Sequence, residues 1–259
     1  MKKLFLLFAL VAGIATVQAQ VKIGGRSIDT KKAVQSAKDV ATAVTLSDAD
    51  VAELCREAVE WMDAHNPIAD ESTDYGARLA RLTKNLSSVN GLPLNFKVYH
   101  VIDINAFACG DGSVRVFSSL MDLMDDDELM AVIGHEVGHI AGNDVKDAIK
   151  SAYLTSAAIN AAGAASKTVG SLSDTELGEI VKSFSEAQFS QKQEYAADEY
   201  GFKTCVENGF SPYGMANALT KLVELSKGEK ASTVQKMFSS HPDSEKRAAH
   251  MKEKADKHK

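Results

Sequence analysis

The sequence has few prolines, few cysteines and no excess of positive charge. An abundance of these features is typical of linkers, disulfide-rich domains and nucleic-acid-binding proteins, respectively. It has four prolines in 259 residues, and its 29 lysines and arginines are outnumbered by 35 aspartates and glutamates. The net charge of −6, with no basic cluster, argues against a nucleic-acid partner or an anionic membrane surface. With 45% hydrophobic and 25% charged residues, the composition is too balanced for disorder. We therefore expect a folded protein with a buried core and no nucleic-acid partner.

Cysteine is also scarce, and its placement excludes two kinds of site. Cys55, Cys109 and Cys205 show no zinc-knuckle spacing, and an odd number allows at most one internal bridge. We expect all three to be ordinary buried thiols. Because no cysteine precedes position 55, a lipid cannot be attached near the N-terminus after processing.

The one strongly apolar run stands at the N-terminus. Lys2 and Lys3 precede eleven apolar residues at 4–14, and the small residue Ala19 ends the segment. This pattern predicts a cleaved signal peptide over residues 1–19, with an uncleaved anchor as the alternative. The run is too short for a good membrane span, so we expect an exported protein with no stable span after cleavage. Residues 20–46 follow as an N-terminal segment that is a prosegment, a docking arm or part of the domain.

Helical periodicity dominates the rest of the chain. The pairs Ser47/Asp50 and Ser173/Glu176 have the spacing of capping boxes and predict two helix starts. The second of these helices is expected to run to about residue 208, where Asn-Gly provides a stop signal.

Strand signals are confined to the middle of the chain. Residues 96–102 and 114–117 are rich in β-branched and aromatic side chains and predict two short strands. Asn90 and Gly91 are expected to end the helix that precedes them. The pattern as a whole indicates a mostly helical α+β fold with a small sheet.

The strongest chemical motif is His135-Glu136-x-x-His139, inside a helix that the acidic run 125–128 opens. Residues four apart share a helix face, so the two imidazoles can hold one Zn²⁺. Glu136 lies about 100° around the helix, where its carboxylate can act as general base on a zinc-bound water. The alternative is a pair of histidines that bind no metal.

A catalytic zinc also needs a third protein ligand and an open position. The metzincin arrangement is excluded, because Val145 stands six residues after His139, where a third histidine is required. Glu194 and Asp198 form the one E-x-x-x-D in the sequence, within a predicted helix. We expect Glu194 to bind zinc and Asp198 to accept a hydrogen bond from His135 and fix its tautomer. A solvated helix charge is the alternative for Asp198.

A third group follows near the C-terminus. His241 stands in the turn Ser240-His241-Pro242, and Arg247 lies on the helix after it. Both side chains could reach a cleft. His241 would then either stabilise the oxyanion of the tetrahedral intermediate or occupy the open zinc position and hold the enzyme latent. A surface histidine in an ordinary helix-start turn is the alternative.

These three motifs together resemble the HtpX-like and CAAX-prenyl-protease-like zinc metallopeptidases, peptidase family forty-eight among the gluzincins. The resemblance covers about residues 70–250 and includes Asn105, Ala106, Phe107 and Ala108. It implies one gluzincin metallopeptidase domain, which we place at residues 47–259, with a small β-sheet. In this family the strand carrying those four residues is the edge strand that lines the cleft and binds an extended peptide.

The resemblance also implies an activity. We expect one Zn²⁺ per chain, held by His135, His139 and Glu194, with Glu136, His241 and Arg247 as catalytic residues. The expected function is a zinc metalloendopeptidase that cleaves unfolded or misassembled envelope proteins in protein quality control. The expected location is the periplasm, with secretion as the alternative. A chaperone-like holding protein and a latent protease whose zinc is capped by His241 are the competing functions.

Overall fold

The computed structural model describes residues 21–23, 26–28, 47–160, 172–185, 187–227, 237, 240–242 and 244–258. The predicted signal peptide at 1–19 lies outside these residues. Of the segment 20–46, two strands are described, β1 (Val21–Ile23) and β2 (Arg26–Ile28), which pair antiparallel.

Helices form most of the described structure, as the sequence predicts. Among the described residues, none of them is both long enough and apolar enough to span a membrane. The helices are α1 (Asp48–His65), α2 (Asp74–Thr83), α3 (Ser118–Leu123), α4 (Asp126–Ala141), α5 (Asp144–Asn160), α6 (Asp174–Ser185), α7 (Gln191–Glu207), α8 (Gly214–Ser226) and α9 (Ser244–Lys257).

The main sheet has four short strands in the described part of the chain. β6 (Asn95–Tyr99) and β8 (Ser113–Phe117) pair in parallel at its centre. β3 (Ile68–Ala69) flanks β6, and β7 (Ala106–Ala108) flanks β8, both antiparallel. The order β3-β6-β8-β7 places β7 at an edge, as the family resemblance implied.

The helix starts follow the capping boxes, but one predicted helix is two. Ser173 and Glu176 exchange the expected hydrogen bonds before α6. That helix ends at Ser185, so the prediction of a continuous helix to residue 208 was wrong. The cause is another capping box, in which Ser190 and Gln193 bond each other's backbone N–H and start α7.

Two predictions around the strands also need correction. β6 ends at Tyr99, and Ile102, which was assigned to this strand, is 85% exposed. Asn90 and Gly91 do not end α2, which stops at Thr83. Both residues have positive φ, 49° and 80°, and form the two-residue turn between β4 (Ser88–Val89) and β5 (Leu92–Pro93).

Helix α4 lies at the centre of the molecule, with every residue from Glu128 to Ile140 buried. It packs against α7 and α8 and against the edge strand β7. Two glycines allow the close approach of α7. A Cβ atom on Gly138 would lie 3.0 Å from the Ala197 Cα, and one on Gly134 would lie 2.9 Å from the Gly201 Cα. This contact brings the motif residues of α4 to those of α7.

Candidate active site

The structure brings four predicted site residues into one buried cluster. His135, His139, Glu194 and His241 each offer a ligand atom, and these atoms lie within 4.8 Å of one another. The Nε2 atoms of His135 and His139 are 3.0 Å apart, and Glu194 Oε1 lies 3.4 Å from His139 Nε2. His241 Nδ1 is 2.9 Å from the same Glu194 oxygen.

The four residues of this cluster come from three separate segments of the chain. The two motif histidines stand one turn apart on α4, and Glu194 is in the first turn of α7. His241 precedes α9. The Phe189 ring stacks on His139 at 4.0 Å between centroids, so it covers one side of the cluster with an apolar surface.

Each motif histidine has a carboxylate oxygen within hydrogen-bonding distance of Nδ1, the ring nitrogen that faces away from the cluster. Asp198 Oδ1 lies 2.9 Å from His135 Nδ1, in the arrangement expected from the sequence. Asp144 Oδ2 lies 2.9 Å from His139 Nδ1. With an ion bound, each carboxylate would accept a hydrogen bond from Nδ1–H, which would leave both Nε2 lone pairs for the metal.

Asp144 was not identified from the sequence. It begins α5 immediately after Asn143, whose φ of 61° turns the chain sharply back toward His139. The available signal was a carboxylate five residues after the second motif histidine, next to the Gly-Asn pair that ends α4.

Arg247 lies behind the cluster and binds two carboxylates, those of Asp198 and Glu194. Its Nε and Nη2 atoms donate to the two oxygens of Asp198 at 2.8 and 2.7 Å, and Nη1 contacts Glu194. The residue is only 2% exposed. Its guanidinium therefore offsets two buried negative charges, that of the candidate ligand Glu194 and that of Asp198, which contacts His135.

The electrostatics of the cluster favour a bound cation. Burial alone would raise the pKa of Glu194, but the adjacent His241 and His139 hold it well below its usual range. Burial alone would lower the pKa of His139, but Asp144 and Glu194 raise it to about 9. Anionic oxygens that attract a proton this strongly at an imidazole also attract a metal ion. Two imidazoles and a carboxylate are a donor set that Zn²⁺ takes in catalytic sites.

Glu136 lies beside the candidate ligands and lines a cavity. Its Oε1 atom is buried and has no hydrogen-bond partner. The cavity has a volume of about 210 Å³, and Asn105 and strand β7 form one of its walls. Most of the other walls are apolar and come from Trp61, Met62, Phe117, Val181, Phe184 and Phe189.

Sequence comparisons identify the family of this chain. The profile of Peptidase family M48 matches residues 75–255. The chain is 39% identical to Metalloprotease LoiP of Escherichia coli K12 over 242 residues, which is 93% of this chain and 94% of that protein. It is 37% identical to Metalloprotease YcaL of the same organism over 255 residues, 98% of each. A more distant relative is the beta-barrel assembly-enhancing protease of Escherichia coli K12, 30% identical over 190 residues, 68% of this chain and 37% of that protein. The resemblance inferred from the motifs is thus confirmed, and the chain belongs to peptidase family M48 and is a metalloprotease.

Proposed function

We propose that this protein is a zinc-dependent endopeptidase that cleaves unfolded or misassembled proteins of the cell envelope. One observation carries the proposal: the buried cluster of His135, His139 and Glu194 adjoins both Glu136 and a cavity walled by an edge strand. The predicted signal peptide supports an envelope location, as does the name of one relative, the beta-barrel assembly-enhancing protease.

The three ligands would be His135, His139 and Glu194, with one Zn²⁺ per chain. When bound, this ion lowers the pKa of water at the open position and polarises the scissile carbonyl. Asp198 and Asp144 hold the two imidazoles in the required tautomer. Arg247 keeps the Glu194 and Asp198 carboxylates together, so we assign it a positioning role.

Glu136 is the general base in this proposal. Its buried Oε1 has no hydrogen-bond partner and is available to accept a proton from the attacking water. The same carboxyl then delivers that proton to the leaving amine nitrogen, which regenerates the carboxylate.

The substrate class follows from strand β7 and the cavity beside it. β7 pairs with β8 on one side, and its other edge has no strand partner among the residues the structure describes. An extended peptide can add to that edge through backbone hydrogen bonds, with little demand on its side chains. Asn105 Oδ1 is a further buried acceptor without a hydrogen bond. Unfolded proteins present both extended backbone and the apolar side chains that the cavity accommodates.

His241 supports a second candidate, a latent form of the same protease. Its ring lies in the ligand cluster, with Nδ1 3.3 Å from His135 Nε2 and Nε2 3.8 Å from Glu136 Oε1. In this position His241 would be a fourth ligand and close the open position. In the alternative role it would donate a hydrogen bond to the oxyanion.

The proposal is tested by measuring zinc content and casein cleavage on the same preparations of wild type, Glu136→Gln and Glu207→Gln. Glu207 is exposed at the end of α7 and serves as the matched control. We expect zinc in all three proteins, and cleavage lost in Glu136→Gln alone. Cleavage by Glu136→Gln at the wild-type rate would show that Glu136 is not the base. Zinc without cleavage in any of them would favour latency or a holding protein.

The role of His241 is tested with His241→Ala. If His241 caps the metal, the variant cleaves casein faster than wild type, because the open position is freed. If His241 stabilises the oxyanion, kcat falls by about 10²–10³. Retained zinc in the variant is the control that separates either result from loss of the metal.

A further inference from the structure

Two of the three cysteine thiols lie against each other, away from the metal cluster. Cys55 is on α1 and Cys109 directly follows β7; both are 0% exposed, and they share one apolar core cluster. The Cys55 thiol lies near enough to the Cys109 thiol to be the largest cause of its raised pKa. A Cβ atom on Gly110, the next residue, would lie 3.1 Å from Cys55 Sγ, so the backbone around Cys109 runs close to α1.

Cys205 is separated from this pair. It lies in a different core cluster, with Phe202 and Met215, and its Sγ donates to the backbone carbonyl of Asp127 at 3.7 Å. The three cysteines are therefore one adjacent pair and one isolated thiol, although all three are thiols in the structure.

We infer that Cys55 and Cys109 form a disulfide bond when the chain folds in an oxidising environment, and that Cys205 remains a thiol. The oxidant is a disulfide, either of an oxidoreductase or of glutathione. One cysteine thiolate attacks it, forming a mixed disulfide and releasing one thiol. The second cysteine attacks the mixed disulfide, which closes the Cys55–Cys109 bond and releases the second thiol. The pair loses two protons and two electrons, and the oxidant gains them.

The bond would form before the core closes. The neighbouring Cys55 thiol and burial raise the pKa of Cys109 well above its usual value, so the folded protein holds little of the reactive thiolate. In the unfolded chain both thiols are accessible and react readily. Once formed, the disulfide is shielded from reductants by the surrounding core.

The disulfide would join two walls of the cavity beside Glu136. Trp61 and Met62, later on α1, line one wall, and Phe107 and Ala108 of β7 line another. A covalent link between α1 and the end of β7 fixes the spacing of these walls. This inference does not depend on the proposed substrate, because it concerns the pair alone.

Peptide mapping of the full chain tests the inference directly. The three cysteines fall in separate tryptic peptides, residues 39–56, 98–115 and 204–221. The chain is unfolded under reducing conditions, refolded with reduced and oxidised glutathione, alkylated and digested without reductant. We expect 39–56 linked to 98–115, with 204–221 alkylated. Alkylation of all three peptides, or a link to 204–221, would overturn the inference.

A thermal readout gives an independent check. Addition of a reductant that opens the bond should lower the Tm of the refolded wild type by about 5–15 °C. Cys205→Ala should show the same shift, and the double variant Cys55→Ala/Cys109→Ala should show none. If the double variant does not fold, the peptide map of the wild type still decides. An equal shift in the double variant would assign the effect to something other than this pair.

Discussion

Two aspartates give the motif histidines their orientation. Asp198 is on α7 and Asp144 begins α5, yet each places a carboxylate oxygen 2.9 Å from the Nδ1 atom of one imidazole. Because the rings are held from behind, their Nε2 atoms face each other across 3.0 Å and do not rotate toward other partners. The ligand geometry therefore depends on residues outside the recognised motif as well as on those inside it.

The contribution of Asp144 is measurable. Asp144→Asn should weaken zinc binding about 10–100-fold, because a neutral amide holds the His139 ring less firmly and raises the basicity of its Nε2 atom less than a carboxylate does. Competition with a chromophoric chelator measures the affinity. Asp147→Asn is the matched control, since Asp147 is exposed on the same helix. Equal affinities for the two variants would remove Asp144 from the site.

A half-buried carboxylate outside the site, that of Asp63, makes stability depend on pH. Asp63 on α1 accepts hydrogen bonds from Arg115, Lys97 and Tyr99 of the sheet, and Arg115 is itself buried. Burial alone would raise the pKa of Asp63, but these donors lower it. Since the folded-state pKa is below the unfolded value of about 3.9, the ionised carboxylate stabilises the fold above that pH.

Asp63→Asn should therefore lower the free energy of unfolding by about 3 kcal/mol at pH 7, because Arg115 loses its buried counter-charge. The difference from wild type should shrink as the pH falls through the folded-state pKa of Asp63, where the wild-type carboxyl also becomes neutral. Urea unfolding at pH 7 and at a series of pH values below about 3.9 measures both. The exposed Asp147→Asn should show no such loss, and a difference that is constant with pH would contradict the account.

At the scale of elements, the contact between α4 and α7 determines where the ligands meet. Gly134 and Gly138 on α4 face α7 at distances that leave no space for a side chain. Gly201 on α7 is equally confined, since a Cβ there would lie 2.6 Å from the Ala131 carbonyl oxygen. The absence of these side chains lets Glu194 and Asp198 approach the histidines of α4.

Gly138→Ala should separate the two helices. The added methyl group would meet the Tyr200 Cβ at 2.9 Å and the Ala197 backbone, which cannot move as a flexible side chain does. We expect a loss of about 1–3 kcal/mol in the free energy of unfolding and weaker zinc binding, because overpacking shifts α7 away from α4. Urea unfolding and chelator competition measure these two effects.

Gly178→Ala is the control for this prediction. It makes the same substitution inside helix α6, where the new Cβ meets only the Trp61 ring at 3.3 Å. We expect a change within about 1 kcal/mol and unchanged zinc affinity, because alanine favours the helix. If Gly138→Ala behaves like this control, the close packing does not position the ligands.

The sequence predicted the parts of the site that depend on local spacing. His135 and His139 share a face because any α-helix places residues four apart on one side. The capping box of Ser47 and Asp50 likewise specifies its helix start from neighbouring residues alone. Glu194 was predicted from the E-x-x-x-D pattern, which becomes specific only together with the family resemblance.

Features that depend on tertiary contacts were missed. Asp144 was missed because its partner is brought close by the turn at Asn143. The pairing of Cys55 with Cys109 joins elements whose contact no local pattern encodes. The strand β7, three residues long, is too short for an alternating pattern and was found only by resemblance.

At the scale of the whole molecule, the candidate metal ligands come from two helices and the turn before a third. A bound ion would connect α4, α7 and the segment at His241, and it would bind only the folded arrangement. Binding to the folded state alone stabilises it by mass action. With an ion bound, the site would therefore contribute to stability as well as to the proposed hydrolysis.

Chelation should lower the Tm of the wild type by about 10 °C if zinc is present at roughly a thousand times its Kd. Calorimetry with and without a chelator measures the shift, and re-addition of Zn²⁺ should restore the original Tm. His139→Ala, which lacks one ligand, should respond little to the chelator. A wild-type Tm that does not change on chelation would show that the metal does not couple to folding.

Arg247 lies on the last described helix, and its guanidinium holds two of the site's buried carboxylates. During synthesis the His135-Glu136-x-x-His139 motif leaves the ribosome more than a hundred residues before this arginine does. Until then Glu194 and Asp198 lack their buried counter-charge, and His241 is also absent for most of that time. A growing chain that already carries the motif is therefore still without the arrangement that the proposed hydrolysis needs, so activity would begin only after the helix that carries Arg247 has been made.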